Sequence, residues 1–120
     1  IEHDYDTKEH LLSLTFGTDL LSTNVEQLDT AARAVFARDD VRMSQWRTLV
    51  LDFSSVRMID SMGINFLIQL LRVADGRKAK VKGIITRHNL HRLFLFTRLD
   101  KKIELDVRIP PEPAAASPVS

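Results

Sequence analysis

The chain has no cysteine, which removes disulfides, thiolate metal sites and thiol catalysis together. Only four glycines occur in 120 residues, and they form no dinucleotide or phosphate-loop fingerprint. No apolar run approaches the roughly 18 residues that a membrane-spanning helix needs. No basic-then-apolar segment of the secretory kind opens the sequence, so a cytoplasmic location is the expectation. The chain begins at Ile1 rather than methionine.

What is present fits one domain, since domains commonly run about 100–150 residues and a chain of this size buries a core without staples. The net charge is only +1. Its distribution is uneven. The first half leans acidic (Glu2, Asp4, Asp6, Glu9, Asp39, Asp40), whereas the stretch from Arg72 to Lys102 is basic, with Arg77, Lys78, Lys80, Lys82, Arg87, Arg92, Arg98 and Lys101. Such a stripe can steer nucleic acid or anionic lipid. No nucleic-acid motif accompanies it, and the aromatics among those charges, Phe94 and Phe96, read as core. The basic stretch therefore reads as a solvated face, and no nucleic-acid partner is expected.

Leu12, Leu14 and Phe16 alternate at period two, the pattern of a half-buried strand. A shorter strand near residues 1–5 can pair with it across Asp6-Thr7-Lys8. Asn24, with Gln27 three residues on, has capping-box spacing and predicts an amphipathic helix over 25–38 built on Val25, Leu28, Ala32, Val35 and Phe36. Asp39-Asp40 suit a helix C-terminus badly, so that helix should end before them. Residues 48–53 (Thr-Leu-Val-Leu-Asp-Phe) form a continuous apolar run, expected as a central strand buried on both faces. Trp46 just before it reads as a lid on the core. A helix over 62–75, a strand over 79–85, a helix over 88–97 and an edge strand over 103–107 follow. The proline, alanine and serine of residues 109–120 predict a disordered tail behind a domain of residues 1–108.

The order is β-β-α-β-α-β-α-β. Strands alternating with helices imply right-handed crossovers and an α/β fold with a mixed, mostly parallel sheet and helices mainly on one side.

Asp60-Ser61-Met62-Gly63 stands where a buried strand passes through a short loop into a helix. A helix N-terminus carries unpaired N–H groups and partial positive charge, which a side-chain oxygen or a phosphate can satisfy. Gly63 would keep the first turn bare and let another molecule approach. On spacing alone, Ser61 or Asp60 is as readily a plain N-cap. The helix behind it adds weight to partner binding. Met62, Ile64, Phe66, Leu67, Ile68, Leu70, Leu71, Val73 and Ala74 cover most of its circumference, leaving Asn65, Gln69 and Arg72 as a polar stripe. A helix so apolar is either enclosed or offers an apolar strip beside Ser61 to a partner.

Residues 49–56 (Leu-Val-Leu-Asp-Phe-Ser-Ser-Val) followed by 58–64 (Met-Ile-Asp-Ser-Met-Gly-Ile) resemble the signature of the STAS domain family, in its anti-sigma factor antagonist branch. Residues 16–20 (Phe-Gly-Thr-Asp-Leu) are similar to the family's turn before its first helix, and 97–101 (Thr-Arg-Leu-Asp-Lys) to its threonine-glycine-leucine-aspartate-lysine segment. The resemblance covers about residues 5–107. It implies that Ser61 is phosphorylated by a partner that is both serine kinase and anti-sigma factor. It also implies that the unphosphorylated form binds this partner and so frees a sigma factor. Asp60, Ser61, Met62, Gly63, Asn65 and Phe66 would form the docking surface, with Asp60 hydrogen-bonded to the Ser61 hydroxyl and Asp52 and Asp60 repelling a phosphate. ATP would belong to the partner; no cofactor, metal or catalytic residue is expected in this chain, and a homodimer is left open.

Three departures from the family stand out: Met62 in place of a small residue, Arg98 where glycine is common, and a proline-rich tail in place of the last helix. STAS-like domains also act as scaffolds in stressosome-type assemblies and as accessory subunits of lipid or anion transporters, and the basic stretch suits that alternative, the one route here to membrane contact.

Other constellations fail. His88 and His91 could share a metal, but a third ligand is missing nearby in sequence. A hydrolase elbow around Ser61 requires glycine where Ile59 stands.

Overall fold

The structure is a computed structural model and describes residues 1–109. The sheet contains strands β1 (Glu2–Asp6), β2 (Leu11–Thr15), β3 (Thr48–Asp52), β4 (Lys80–Ile85) and β5 (Glu104–Val107). The helices are α1 (Val25–Ala37), α2 (Asp39–Arg42), α3 (Ser61–Gly76) and α4 (His88–Phe96), with a 3-10 turn at Leu99–Lys101. Strand order in space follows the chain, β1-β2-β3-β4-β5. β1 runs antiparallel to β2, and each later neighbour pair is parallel. The tail expected over 109–120 lies, beyond Ile109, outside the described residues.

The hairpin turn is made by Asp6, whose Oδ1 accepts from the N–H groups of Lys8 and Glu9 at 2.9 and 3.1 Å. Alternation then divides the sheet. Leu12, Leu14, Leu49, Leu51, Val81 and Ile85 point to one face and are buried beneath the helices. The opposite face carries half-buried Leu11, Ser13, Val50 and Ile84 with exposed Asp4, Lys82 and Glu104. β3 is therefore buried on one face, not both. Its apolar run is read correctly as a central strand, but the crossovers all lie on one side of the sheet.

The core is aromatic at its upper end. Phe16 stacks on Phe53 with ring centroids 5.3 Å apart and meets Phe66 edge-on at 6.0 Å, and Phe94 stands edge-on to Phe53 at 5.3 Å. Trp46 closes the lower end, only 2% exposed and stacked against Phe36. The Arg77 guanidinium lies 4.3 Å above the indole and donates to the Ser44 carbonyl at 2.6 Å. Arg77 is thus a structural brace, withdrawn from the basic stretch.

Two local expectations, a capping bond from Asn24 and a core place for Phe96, are corrected, and two further positions gain a geometry. Asn24 sits at the N-cap of α1 but makes no capping bond into it. Its Oδ1 accepts from Leu21 N–H and its Nδ2 donates to the Asp19 carbonyl, so it ties the preceding loop together instead. Asp39-Asp40 do follow the end of α1, but they also open α2, where acidic residues suit the positive end of the dipole. Phe94 is buried, whereas Phe96 is 88% exposed. Two positions apart on a helix is about 200° of rotation, so one core cannot hold both. Arg98, the second of those departures, occupies the left-handed region at φ 62°, the conformation that glycine adopts without strain.

Candidate functional site

Two loops converge at the C-terminal ends of β2 and β3. The first follows Phe16 and leads into α1; the second follows Phe53 and leads into α3. They are laced by backbone: Leu20 N–H donates to the Met58 carbonyl and Asp60 N–H donates to the Leu20 carbonyl, both at 3.1 Å. Two aspartates complete the lacing. Asp19 Oδ1 accepts from Arg57 N–H at 2.7 Å and more weakly from Met58 N–H at 3.3 Å. Asp60 Oδ2 accepts from Ser22 N–H at 2.7 Å, while its Oδ1 caps α3 by accepting from Gly63 N–H at 2.9 Å. Asn89 at the start of α4 donates to the Arg57 carbonyl and holds the loop from the third side.

These donors fix the charge state of Asp60. The Ser22 N–H first, and the Gly63 N–H next, hold its carboxyl below the usual aspartate range, against a smaller opposing effect of desolvation. Both carboxylate oxygens are committed to backbone donors. The expected bond to the Ser61 hydroxyl is therefore replaced by a bridge between the two loops.

Ser61 is the first residue of α3 and its side chain is exposed. The capping work is done by its neighbour, which leaves the hydroxyl without a structural duty. Met62, 47% exposed, and exposed Asn65 continue outward from it. The polar stripe of Asn65, Gln69 and Arg72 faces solvent. A groove of about 330 Å³ runs beside this face between α1 and α3, with Ser22, Val25, Glu26, Met62 and Asn65 among its walls.

Two residues expected at the surface lie inside. A Cβ on Gly63 would stand 2.2 Å from the Leu20 carbonyl oxygen and 2.8 Å from Ile59 Cγ2. The glycine admits the Leu20 loop, not an outside molecule. Phe66 is 3% exposed, packed against Phe16, and reaches only the floor of the groove. Both lie beneath the exposed Met62 and Asn65. Asp52 also moves out of the site: it alternates to the open face of the sheet, where its Oδ1 accepts from Ser54 N–H at 2.9 Å.

Sequence reasoning missed the partners of Asp60. Ser22 contributes a backbone N–H, which no side-chain pattern signals. Asp19 could have been found, because it lies in one of the segments that carry the family resemblance. His88 is exposed on α4 and His91 half-buried on its flank, and among the described residues no group of three or more His, Cys, Asp or Glu comes together as a metal site.

No curated protein sequence matches the chain. Solved structures do match in fold. TM1081 of Thermotoga maritima superposes with TM-score 0.68 at 18% identity, over 88% of this chain and 85% of that one. The anti-sigma factor antagonist SpoIIAA in its unphosphorylated form gives TM-score 0.66 at 14% identity, over 88% and 86%. The Bacillus cell fate determinant SpoIIAA in its phosphorylated form gives 0.60 at 14%, over 88% and 89%. At the level of sequence, the family described as "Mlab, STAS domain" matches residues 3–107. With its five-stranded mixed sheet and helix-covered face, the chain belongs to the STAS domain family.

Proposed function

We propose that this chain is a binding switch of the anti-sigma factor antagonist type, non-catalytic itself and acting in the cytoplasm. In the unphosphorylated state, Ser61, Met62 and Asn65 dock on an anti-sigma factor that is also a serine kinase, and so free a sigma factor for transcription. Phosphorylation of Ser61 by that partner, with ATP bound on the partner's side, ends the complex. The observation that carries this reading is the exposed Ser61 hydroxyl, free of capping duty because Asp60 caps α3.

The physics supports a switch that spares the fold. A phosphate adds about −1.5 to −2 charges, and the N-terminus of a 16-residue helix tolerates negative charge. A partner surface packed on Met62 and Asn65 would not tolerate it, and Asp60 adds like-charge repulsion. That SpoIIAA, similar in fold, is known in both phosphorylated and unphosphorylated forms fits the same reading. The test is to incubate the protein with host lysate and ATP and map phosphate by peptide mass spectrometry. Phosphate on Ser61, absent from Ser61→Ala, supports the switch; labelling elsewhere with Ser61 untouched contradicts it.

A second reading, a STAS scaffold of a stressosome-like assembly or an accessory subunit of a lipid or anion transporter, is favoured by the exposed apolar and basic end of α4. Capture from host lysate separates the two: a partner lost on Ser61→Asp supports the switch, whereas an assembly or transporter subunit retained equally by wild type, Ser61→Ala and Ser61→Asp supports the second reading.

A further inference from the structure

The outer side of α4 is not covered by any other element among the described residues. Leu90 and Phe94 face the sheet, whereas His88, Arg92, Leu95 and Phe96 share the opposite side at helical spacing. Phe96 is 88% exposed and Leu95 48%, although both are large and apolar. The tight left-handed turn at Arg98 then brings the 3-10 segment directly against the end of α4, with Arg98 N–H donating to the Leu95 carbonyl and Lys101 N–H to the Arg98 carbonyl. Arg92 on the same helix face and Arg98, Lys101 and Lys102 in the turn that follows are all exposed, with half-buried Asp100 among them. Among the described residues none of these four cations is in an ion pair.

We propose that the tip of α4, with Leu95 and Phe96 at its centre and Arg92, Arg98, Lys101 and Lys102 around it, docks on the surface of an anionic lipid bilayer. The occupant follows from shape and charge. A protein partner for a lone aromatic usually offers a pocket, but an exposed phenylalanine at a helix end, with exposed long-stemmed cations on the same helix face and in the turn that follows, matches the headgroup boundary. There the ring enters the acyl edge while the cations reach lipid phosphates. The attachment is peripheral, since no helix among the described residues is long and apolar enough to cross a membrane. It is also compatible with the site at Ser61. α4 starts at the end of the sheet where Ser61 stands and finishes at the other, so a lipid-bound molecule presents Ser61 away from the tip. The inference rests on this surface alone and does not depend on phosphorylation of Ser61.

The test is co-sedimentation of the full chain with vesicles of phosphatidylcholine, with and without phosphatidylglycerol, at low and high salt. The expected result is binding to the anionic vesicles only, released when salt shortens the screening length to about 3 Å at 1 M. Phe96→Ser and, separately, Arg92→Glu with Lys101→Glu should each lower the bound fraction by roughly tenfold. Because these side chains are exposed, circular dichroism should show both variants folded. A Phe96→Trp variant adds a direct reading: its emission should shift to the blue on adding anionic vesicles, while buried Trp46 alone should not respond. Absence of binding at low salt, binding unchanged by Phe96→Ser, or equal binding to neutral vesicles would each overturn the proposal.

Discussion

Asp60 accepts a hydrogen bond from the Ser22 N–H at 2.7 Å, across 38 residues of sequence. The same carboxylate caps α3 through Gly63 N–H, so one side chain sets the start of the helix and the position of the loop before α1. The loop that presents Ser61 is therefore held on both sides.

That relationship predicts a specific pH dependence. The Ser22 and Gly63 N–H groups depress the Asp60 pKa in the folded state. The stabilisation from its charged form is complete above the unfolded value, about 3.9, and is lost as pH falls through the lower folded value. Asp60→Asn should be less stable than wild type at pH 7, and the gap should close as the pH drops below about 4. Urea midpoints of both proteins at pH 7 and pH 3 check this. A gap that widens in acid would show that the carboxylate is not the stabilising species.

Glycine positions separate packing from flexibility. Gly63→Ala should cost about 1–3 kcal/mol, because the new Cβ meets the Leu20 carbonyl backbone. Gly76 ends α3 with open space around it and without positive φ. Gly76→Ala should therefore stabilise by about 0.5–1 kcal/mol. Denaturant unfolding of the two variants should move the midpoint in opposite directions.

Arg98 holds a left-handed conformation that costs a side-chain-bearing residue roughly 1 kcal/mol. Arg98→Gly should recover about that much stability, measured as a raised urea midpoint with unchanged slope. A lowered midpoint would mean that the arginine side chain contributes more than the strain it brings.

Arg77 offers the contrasting case. Its guanidinium stacks on Trp46 and donates to the carbonyls of Ser44 and Arg42. Arg77→Ala should destabilise by about 1–3 kcal/mol, since it strips a partly buried carbonyl of its donor and uncovers the indole. Arg77→Lys should recover little, because an ammonium cannot serve both carbonyls and the ring with one planar group. Thermal unfolding of the pair checks the ranking.

The element order was legible because period-two and period-3.6 patterns are strong wherever one face is buried. Leu12-Leu14-Phe16 and Leu28-Ala32-Val35 are examples, and every residue in them is buried. What failed depends on long-range placement. An apolar run such as that of β3 reads alike whether helices cover one face or two. Gly63 was seen as special, but only the fold shows that the Leu20 carbonyl, rather than a partner, occupies the space it leaves. Phe96 was misread because two aromatics close in sequence look like one cluster until the helix turns them apart. The position of Ser61 was legible from the motif, whereas its freedom from capping duty needed the geometry of Asp60.

A switch at Ser61 requires that a negative charge there ends partner binding without altering the fold. Quantitative affinity capture from host lysate with wild-type, Ser61→Ala and Ser61→Asp baits of matched thermal stability measures this. One partner should be retained by wild type and Ser61→Ala and depleted roughly tenfold or more on Ser61→Asp, as expected when a charge enters an interface centre without a counter-ion. Equal retention of every partner by Ser61→Ala and Ser61→Asp would contradict it.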